Sequence, residues 1–147
     1  MNSNSDKAVA MFKEGFNCAQ AVLTCCGEQY GIDHDTACRV AQTLGGGMSR
    51  LNQTCGAVTG ALMVIGLKHA KTGADNKGKE QAMQFAQEFA RRFRAKHGSL
   101  SCTELLGCDL STKEGFSTAM AEGLTKTICP QLVRDAADIV DELLRTP

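Results

Sequence analysis

Apolar positions recur at three- and four-residue spacing along most of the chain, and no segment alternates apolar with polar residues. The pattern predicts helices and no sheet. Ser5 to Glu14 carries Ala8, Met11 and Phe12 on one face and closes at Gly15. Asn17 to Tyr30 places Ala21, Val22 and Cys25 on one face, with Gly31 beyond its end. Asp33 to Leu44 opens on Asp33 as an N-cap, and Gly45, Gly46 and Gly47 break the chain after it. Thr54 to His69 is apolar on almost every side, through Val58, Leu62, Met63, Val64, Ile65 and Leu67, which is the pattern of a buried central helix. Lys71 to Gly78 is polar and reads as an exposed loop. Lys79 to Lys96 is long and amphipathic, its stripe being Ala82, Phe85, Ala86, Phe89 and Phe93. Ser101 to Leu106 is one short helical turn and Ser111 to Ala121 a further segment. Pro130 to Leu144 closes the chain with Leu132, Val133, Ala136, Ile139, Val140 and Leu143 inward. The expectation is a single all-α domain over residues 1–147, a bundle of five or six helices with cysteines at helix N-termini gathered at one end.

Composition narrows the function. The chain has 147 residues, with 16 Lys+Arg against 16 Asp+Glu. That length supports one domain with a real core, and zero net charge argues against nucleic acid as the partner. Aromatic residues are 5%, with no Trp, so a stacking platform for bases or sugars is poorly supplied. The outlier is cysteine, of which there are eight. That is below the density of a small disulfide scaffold. The N-terminal segment Met-Asn-Ser-Asn-Ser-Asp-Lys has no apolar core of a secretory signal. The longest apolar stretch, Ala57 to Leu67, falls short of the ~20 residues of a membrane span. The expected compartment is the cytoplasm, where thiols stay reduced unless they are catalytic, sensing or metal-bound.

Four cysteines fall where helices are predicted to start. Asn17 precedes Cys18, with Gln20 at the third helical position, a capping-box arrangement. Thr54 stands as an N-cap before Cys55 and Gly56. Ser101-Cys102-Thr103-Glu104 is an S-x-x-E box with Glu104 as the capping residue. Cys129 sits at the N-cap itself, because Pro130 favours the first helical position. The first turn of a helix has unpaired backbone N–H groups and about half a positive charge, both of which favour a thiolate. The expectation is therefore depressed thiol pKa values, from about 8.5 towards about 7. Four such sulfurs also number what a tetrahedral metal or an iron–sulfur cluster needs. Their spacing matches no compact zinc or ferredoxin pattern, so any convergence must be made by the fold.

The remaining features carry less. Cys25, Cys26 and Cys38 read as packing residues and Cys108 as a loop thiol. The turn at Gly45, Gly46, Gly47 and Met48 is read as a place where backbone approaches a ligand or anion closely, with a flexible interhelical link as the simpler alternative. It lacks the Lys-Ser/Thr of a P-loop. Gly56 and Gly60, four apart, read as close helix packing, with Gly56 also clearing space beside Cys55. His34, His69 and His97 read as surface residues. Arg91 to Lys96 reads first as a solvated face and second as a docking patch for a redox partner.

The motifs Asn17-Cys18-Ala19-Gln20-Ala21-Val22-Leu23, Gly45-Gly46-Gly47-Met48, Cys55-Gly56-Ala57-Val58-Thr59-Gly60-Ala61, Cys102-Thr103-Glu104-Leu105-Leu106-Gly107 and Cys129-Pro130 together resemble the C_GCAxxG_C_C family. The resemblance runs from Lys7 to Leu144. It implies a redox-active protein of bacterial or archaeal type and maps the family's cysteines onto Cys18, Cys55, Cys102 and Cys129. It also implies kinship with the iron–sulfur and haem proteins called split-Soret cytochromes, although covalent c-type haem is excluded because no C-x-x-C-H occurs.

Three functions follow as expectations. The four cysteines cycle between thiols and disulfides or pass electrons to a redox partner, with paired Cα atoms about 4.4–6.8 Å apart. Three pairings are open to them. Alternatively the same four ligate an iron–sulfur cluster or zinc. The third is a helical scaffold with inert thiols. An apolar central helix in a short chain is also compatible with a homodimer.

Overall fold

The structure, a computed structural model, describes residues 3–70, 73–74 and 76–145. Nine right-handed α-helices occur among the described residues: α1 (Asn4–Lys13), α2 (Cys18–Gly27), α3 (His34–Val40), α4 (Gly56–His69), α5 (Asn76–His97), α6 (Cys102–Leu106), α7 (Lys113–Ala121), α8 (Leu124–Thr127) and α9 (Cys129–Arg145). The expected five or six were too few. The short segments expected at Ser101 to Leu106 and Ser111 to Ala121 are full elements, α6 and α7, and α8 is a four-residue piece too short to carry a stripe that periodicity detects. No strand is present among the described residues, only an isolated antiparallel bridge between Thr54 and Ser101. Part of the predicted 71–78 loop lies outside the described residues, and its last three, Asn76 to Gly78, open α5.

Helices α2 and α4 form the heart of the core and run parallel. A Cβ on Gly56, at the start of α4, would meet Cys18 Sγ and the Ala19 backbone at the start of α2. A Cβ on Gly27, at the end of α2, would meet Leu67 at the end of α4. Gly60 continues the contact, since a Cβ there would lie 2.9 Å from the Ala19 carbonyl oxygen. Bulk at Gly56 or Gly60 would push the two backbones apart, which is why this helix accepts glycines that cost helix propensity. Two parallel helices with their starts together put two positive dipole ends at one place.

Helix α1 runs antiparallel to α9. Asn4 Nδ2 donates to Asp141 Oδ2 at 3.0 Å and Arg134 Nη1 reaches Asp6 Oδ1 at 2.7 Å. The end of α1 therefore lies beside the start of α9. Helix α5 buries Phe89 and Phe93 completely against α4 and α9, each worth about 1.5–3 kcal/mol. It ends at His97, whose Nε2 lies 2.9 Å from Asp135 Oδ2 of α9. His97 is thus an anchor and not a surface residue. Asp135 is 3% exposed and also accepts from Gln131 and pairs with Lys96, so its charge is satisfied. His69 likewise stacks on Phe85, at 4.1 Å between ring centroids. A second, smaller apolar cluster joins Cys102, Leu106, Leu110 and Ala119, with Phe116, Leu124, Ile128 and Cys129 packed against it. Ile128 touches both clusters.

The glycine break is an ordered structure. Gly46, Gly47, Met48, Ser49 and Arg50 all have φ between 60° and 70°, forming a turn of left-handed helix. Met48, Ser49 and Arg50 each pay about 1–2 kcal/mol for that conformation. It is held by Ser49 N–H donating to the Gly45 carbonyl at 2.9 Å and Ser49 Oγ to the Thr43 carbonyl at 2.7 Å. The Gln53 N–H donates to the Gly47 carbonyl at 3.0 Å, and the Arg50 guanidinium lies 4.1 Å from the Phe116 ring centre.

Candidate functional site

Each of the four cysteines stands at a helix start, within one residue of the position the sequence predicts. Cys18 is the first residue of α2. Asn17 Oδ1 accepts from Gln20 N–H at 2.8 Å and Gln20 Oε1 from Asn17 N–H at 2.9 Å, the full reciprocal box. Asn17 Nδ2 also donates to the Gln42 carbonyl at 2.9 Å, tying α2 to the segment before the glycine turn. Cys55, not Thr54, is the N-cap of α4. The bridge to Ser101 holds Thr54 extended, and Cys55 N–H donates to the Leu100 carbonyl at 2.8 Å, so the helix begins one residue late. The paired bond, Cys102 N–H to the Gln53 carbonyl at 3.0 Å, clamps the start of α6 to the start of α4. Ser101 Oγ accepts from Glu104 N–H, but the return bond of the predicted box is absent: Ser101 N–H donates to Ser99 Oγ instead. Cys129 is the first residue of α9, not its cap, because α8 runs into it through Ile128, whose N–H bonds the Leu124 carbonyl.

All four line one cavity of about 620 Å³. Cys18, Cys55 and Cys102 are buried and Cys129 half-buried. The walls include Phe12, Phe16, Leu105, Leu110 and Leu132. Gly46 and Gly56 line it too. Gly47 stands behind Cys102: a Cβ there would lie 2.8 Å from Cys102 Cβ. A Cβ on Gly56 would lie 2.2 Å from Cys18 Sγ, so Gly56 makes room for Cys18. Cys25, Cys26, Cys38 and Cys108 lie outside the cavity lining. Sequence reasoning missed the lining residues Lys13, Arg50 and Lys126. No spacing signal marks them, because each belongs to a different local segment.

The predicted low thiol pKa values are not found. Burial raises all four, and it outweighs the helix starts. Cys102 is pushed up to about 11 by burial, the Cys18 charge and Asp109. Cys129 is pushed up to about 12 by burial, then by Cys18 and Cys102. Cys55 lies well above its ordinary value, again from burial first and Cys18 next. Cys18 is also raised by burial, but the nearby backbone N–H groups of Gly46, Ala19 and Gly56 favour its thiolate and oppose the shift. The reduced resting cluster is therefore a set of neutral thiols, with Cys18 the one best supplied with donors for a thiolate.

A single metal ion would need several of these sulfurs around one point. Among the described residues no three His, Cys, Asp or Glu side chains are placed to hold a metal ion. As arranged, the four thiols do not fit a single ion such as zinc, and all eight cysteines are free.

A family model described as "Putative redox-active protein (C_GCAxxG_C_C)" matches residues 16–143. The chain belongs to the C_GCAxxG_C_C family. The match spans all four cavity cysteines of this C_GCAxxG_C_C protein and supports a redox role in general terms. No curated protein and no solved structure matches it. No helix among the described residues is long and apolar enough to cross a membrane.

Proposed function

We propose that this chain is a thiol–disulfide redox protein whose working groups are Cys18, Cys55, Cys102 and Cys129. The supporting observation is that four cysteines on four separate helix starts line a single cavity, while the other four do not. Cys18 is the attacking thiol in this reading, because the backbone N–H groups of Gly46, Ala19 and Gly56 lie against its sulfur and favour its thiolate. Its charge is among the causes that raise the other three, so all lie within its electrostatic reach. The Cys18 thiolate attacks a partner disulfide, forming a mixed disulfide and releasing one partner thiol. A second cavity thiol then displaces the other partner sulfur. The protein gains one disulfide, and two electrons and two protons pass to the partner. Gly56 and Gly46 hold the backbone close enough for their N–H groups to reach the attacking sulfur.

The test is a redox titration of the anaerobic, reduced chain against a small organic disulfide, with cysteines mapped by mass spectrometry. Two or four of the cavity cysteines should oxidise reversibly, and Cys18→Ser should abolish the first step. Oxidation spread evenly over all eight would remove the assignment. Stoichiometric iron with absorption between about 300 and 600 nm in the purified protein would replace it with the cluster reading.

A further inference from the structure

The cavity is one-sided in charge. Among the described residues, Lys13, Arg50 and Lys126 line it and no Asp or Glu does. None of these three cations has an ion-pair partner among the described residues. Helices α2, α4 and α9 add three positive dipole ends, since each starts at the cavity with a lining cysteine. The lining thiols are protonated at neutral pH and add no charge in the reduced state, and Asp109, whose charge reaches Cys102, stands outside the lining. The walls, by contrast, are apolar, through Phe12, Phe16, Leu105 and Leu110. The smaller groove at Cys25 is different in kind: it is lined by Lys7 but also by Glu14 and Glu28.

Resting on the thiol–disulfide reading above, we infer that the partner admitted to this cavity is a small organic anion with an apolar body. Its charged group meets Lys13, Arg50 and Lys126, and its apolar part carries the reacting sulfur–sulfur bond against the walls towards Cys18. A volume of about 620 Å³ suits a molecule of that size. The cations discriminate against neutral and cationic disulfides, which share the walls but gain nothing from the charge. Anion binding and thiol chemistry are separable here, since the first needs only the cations and the walls.

The experiment uses the reduced full chain and two fluorescent probes sharing one ring system, the anion anilinonaphthalene sulfonate and the neutral phenyl-naphthylamine. The sulfonate should bind about tenfold more tightly than the amine, and Lys13→Gln/Lys126→Gln should weaken the sulfonate about tenfold while moving the amine less than twofold. Both lysines are exposed, so the fold should survive, and Arg50→Gln provides a second variant. Bound sulfonate should also slow alkylation of Cys102 and Cys129 and leave Cys25 unaffected. Equal affinity for the two probes, or sulfonate binding that ignores all three substitutions, overturns the inference. Selective sulfonate binding by a chain whose cavity thiols resist every disulfide would uphold the anion site and remove the thiol–disulfide reading.

Discussion

The parallel pair α2 and α4 has two ends, each with cysteines, and only one is built around them. At the start, Gly56 and Gly46 bring backbone N–H groups to Cys18, and three further helix-start cysteines line the same cavity. At the other end of α2, Cys26 is completely buried and Cys25 half-buried. Burial pushes Cys25 up to about 11, and Cys26 is held well above its ordinary value by burial and by the nearby Asp141 carboxylate. Neither sulfur has backbone donors among the causes that shift it. Burial thus raises the thiol at both ends, Cys102 and Cys129 included. What separates the ends is backbone N–H groups that oppose the rise, at Cys18 and to a lesser extent Cys55, and at neither Cys25 nor Cys26.

The largest expected difference is chemical. Cys18→Ser should slow disulfide exchange at the cavity more than tenfold, whereas Cys26→Ser should change it less than twofold, both read by thiol release in stopped flow. Equal rates for the two variants would falsify the contrast between the ends. Next comes packing on a single helix. Gly56→Ala should destabilise by about 3 kcal/mol in urea unfolding, because its Cβ would collide with Cys18 Sγ and the Gly45 backbone. Gly66→Ala, with nothing within 4 Å, should instead stabilise by up to about 1 kcal/mol through helix propensity. Asn17→Ala removes the cap of α2 and a bond to the Gln42 carbonyl and should cost about 1–2 kcal/mol, measured the same way.

The smallest effect is in pH. Thiols raised on folding hold their protons more tightly in the folded chain, so their contribution is complete below about pH 8.5–9 and is lost as pH rises towards 11–12. The thermal midpoint should be level up to about pH 8.5 and fall above it. Cys102→Ser/Cys129→Ser should flatten that fall, and an unchanged alkaline limb would show that these thiols are not the groups responsible.

Much of this was legible in the chain because it is local. The apolar run of Thr54 to His69 and the Phe85–Phe93 stripe announce their helices. The Asn17–Gln20 and Ser101–Glu104 spacings announce the starts that carry Cys18 and Cys102, and Thr54 and Pro130 point to those that carry Cys55 and Cys129. The misses are equally physical. Thr54 lost its cap role to a bridge with Ser101, a residue far along the chain. The glycine turn is left-handed through Met48, Ser49 and Arg50, which no propensity favours. His97 reads as a loop residue until Asp135 of α9 is placed against it. The depressed thiol pKa was expected from the helix starts alone, and the burial that reverses it depends on what covers them.

The sequence by itself determined the helical class and the placing of four sulfurs at helix starts, since caps, periodicity and glycine positions act within a few residues of chain. Tertiary structure alone decided that the starts of α2, α4, α6 and α9 meet at one cavity, that three cations without an ion-pair partner among the described residues line it, and that the thiols rest protonated. Those properties come from parallel packing at Gly56 and Gly60 and from the removal of water around the sulfurs, which arise only when distant segments are brought into contact.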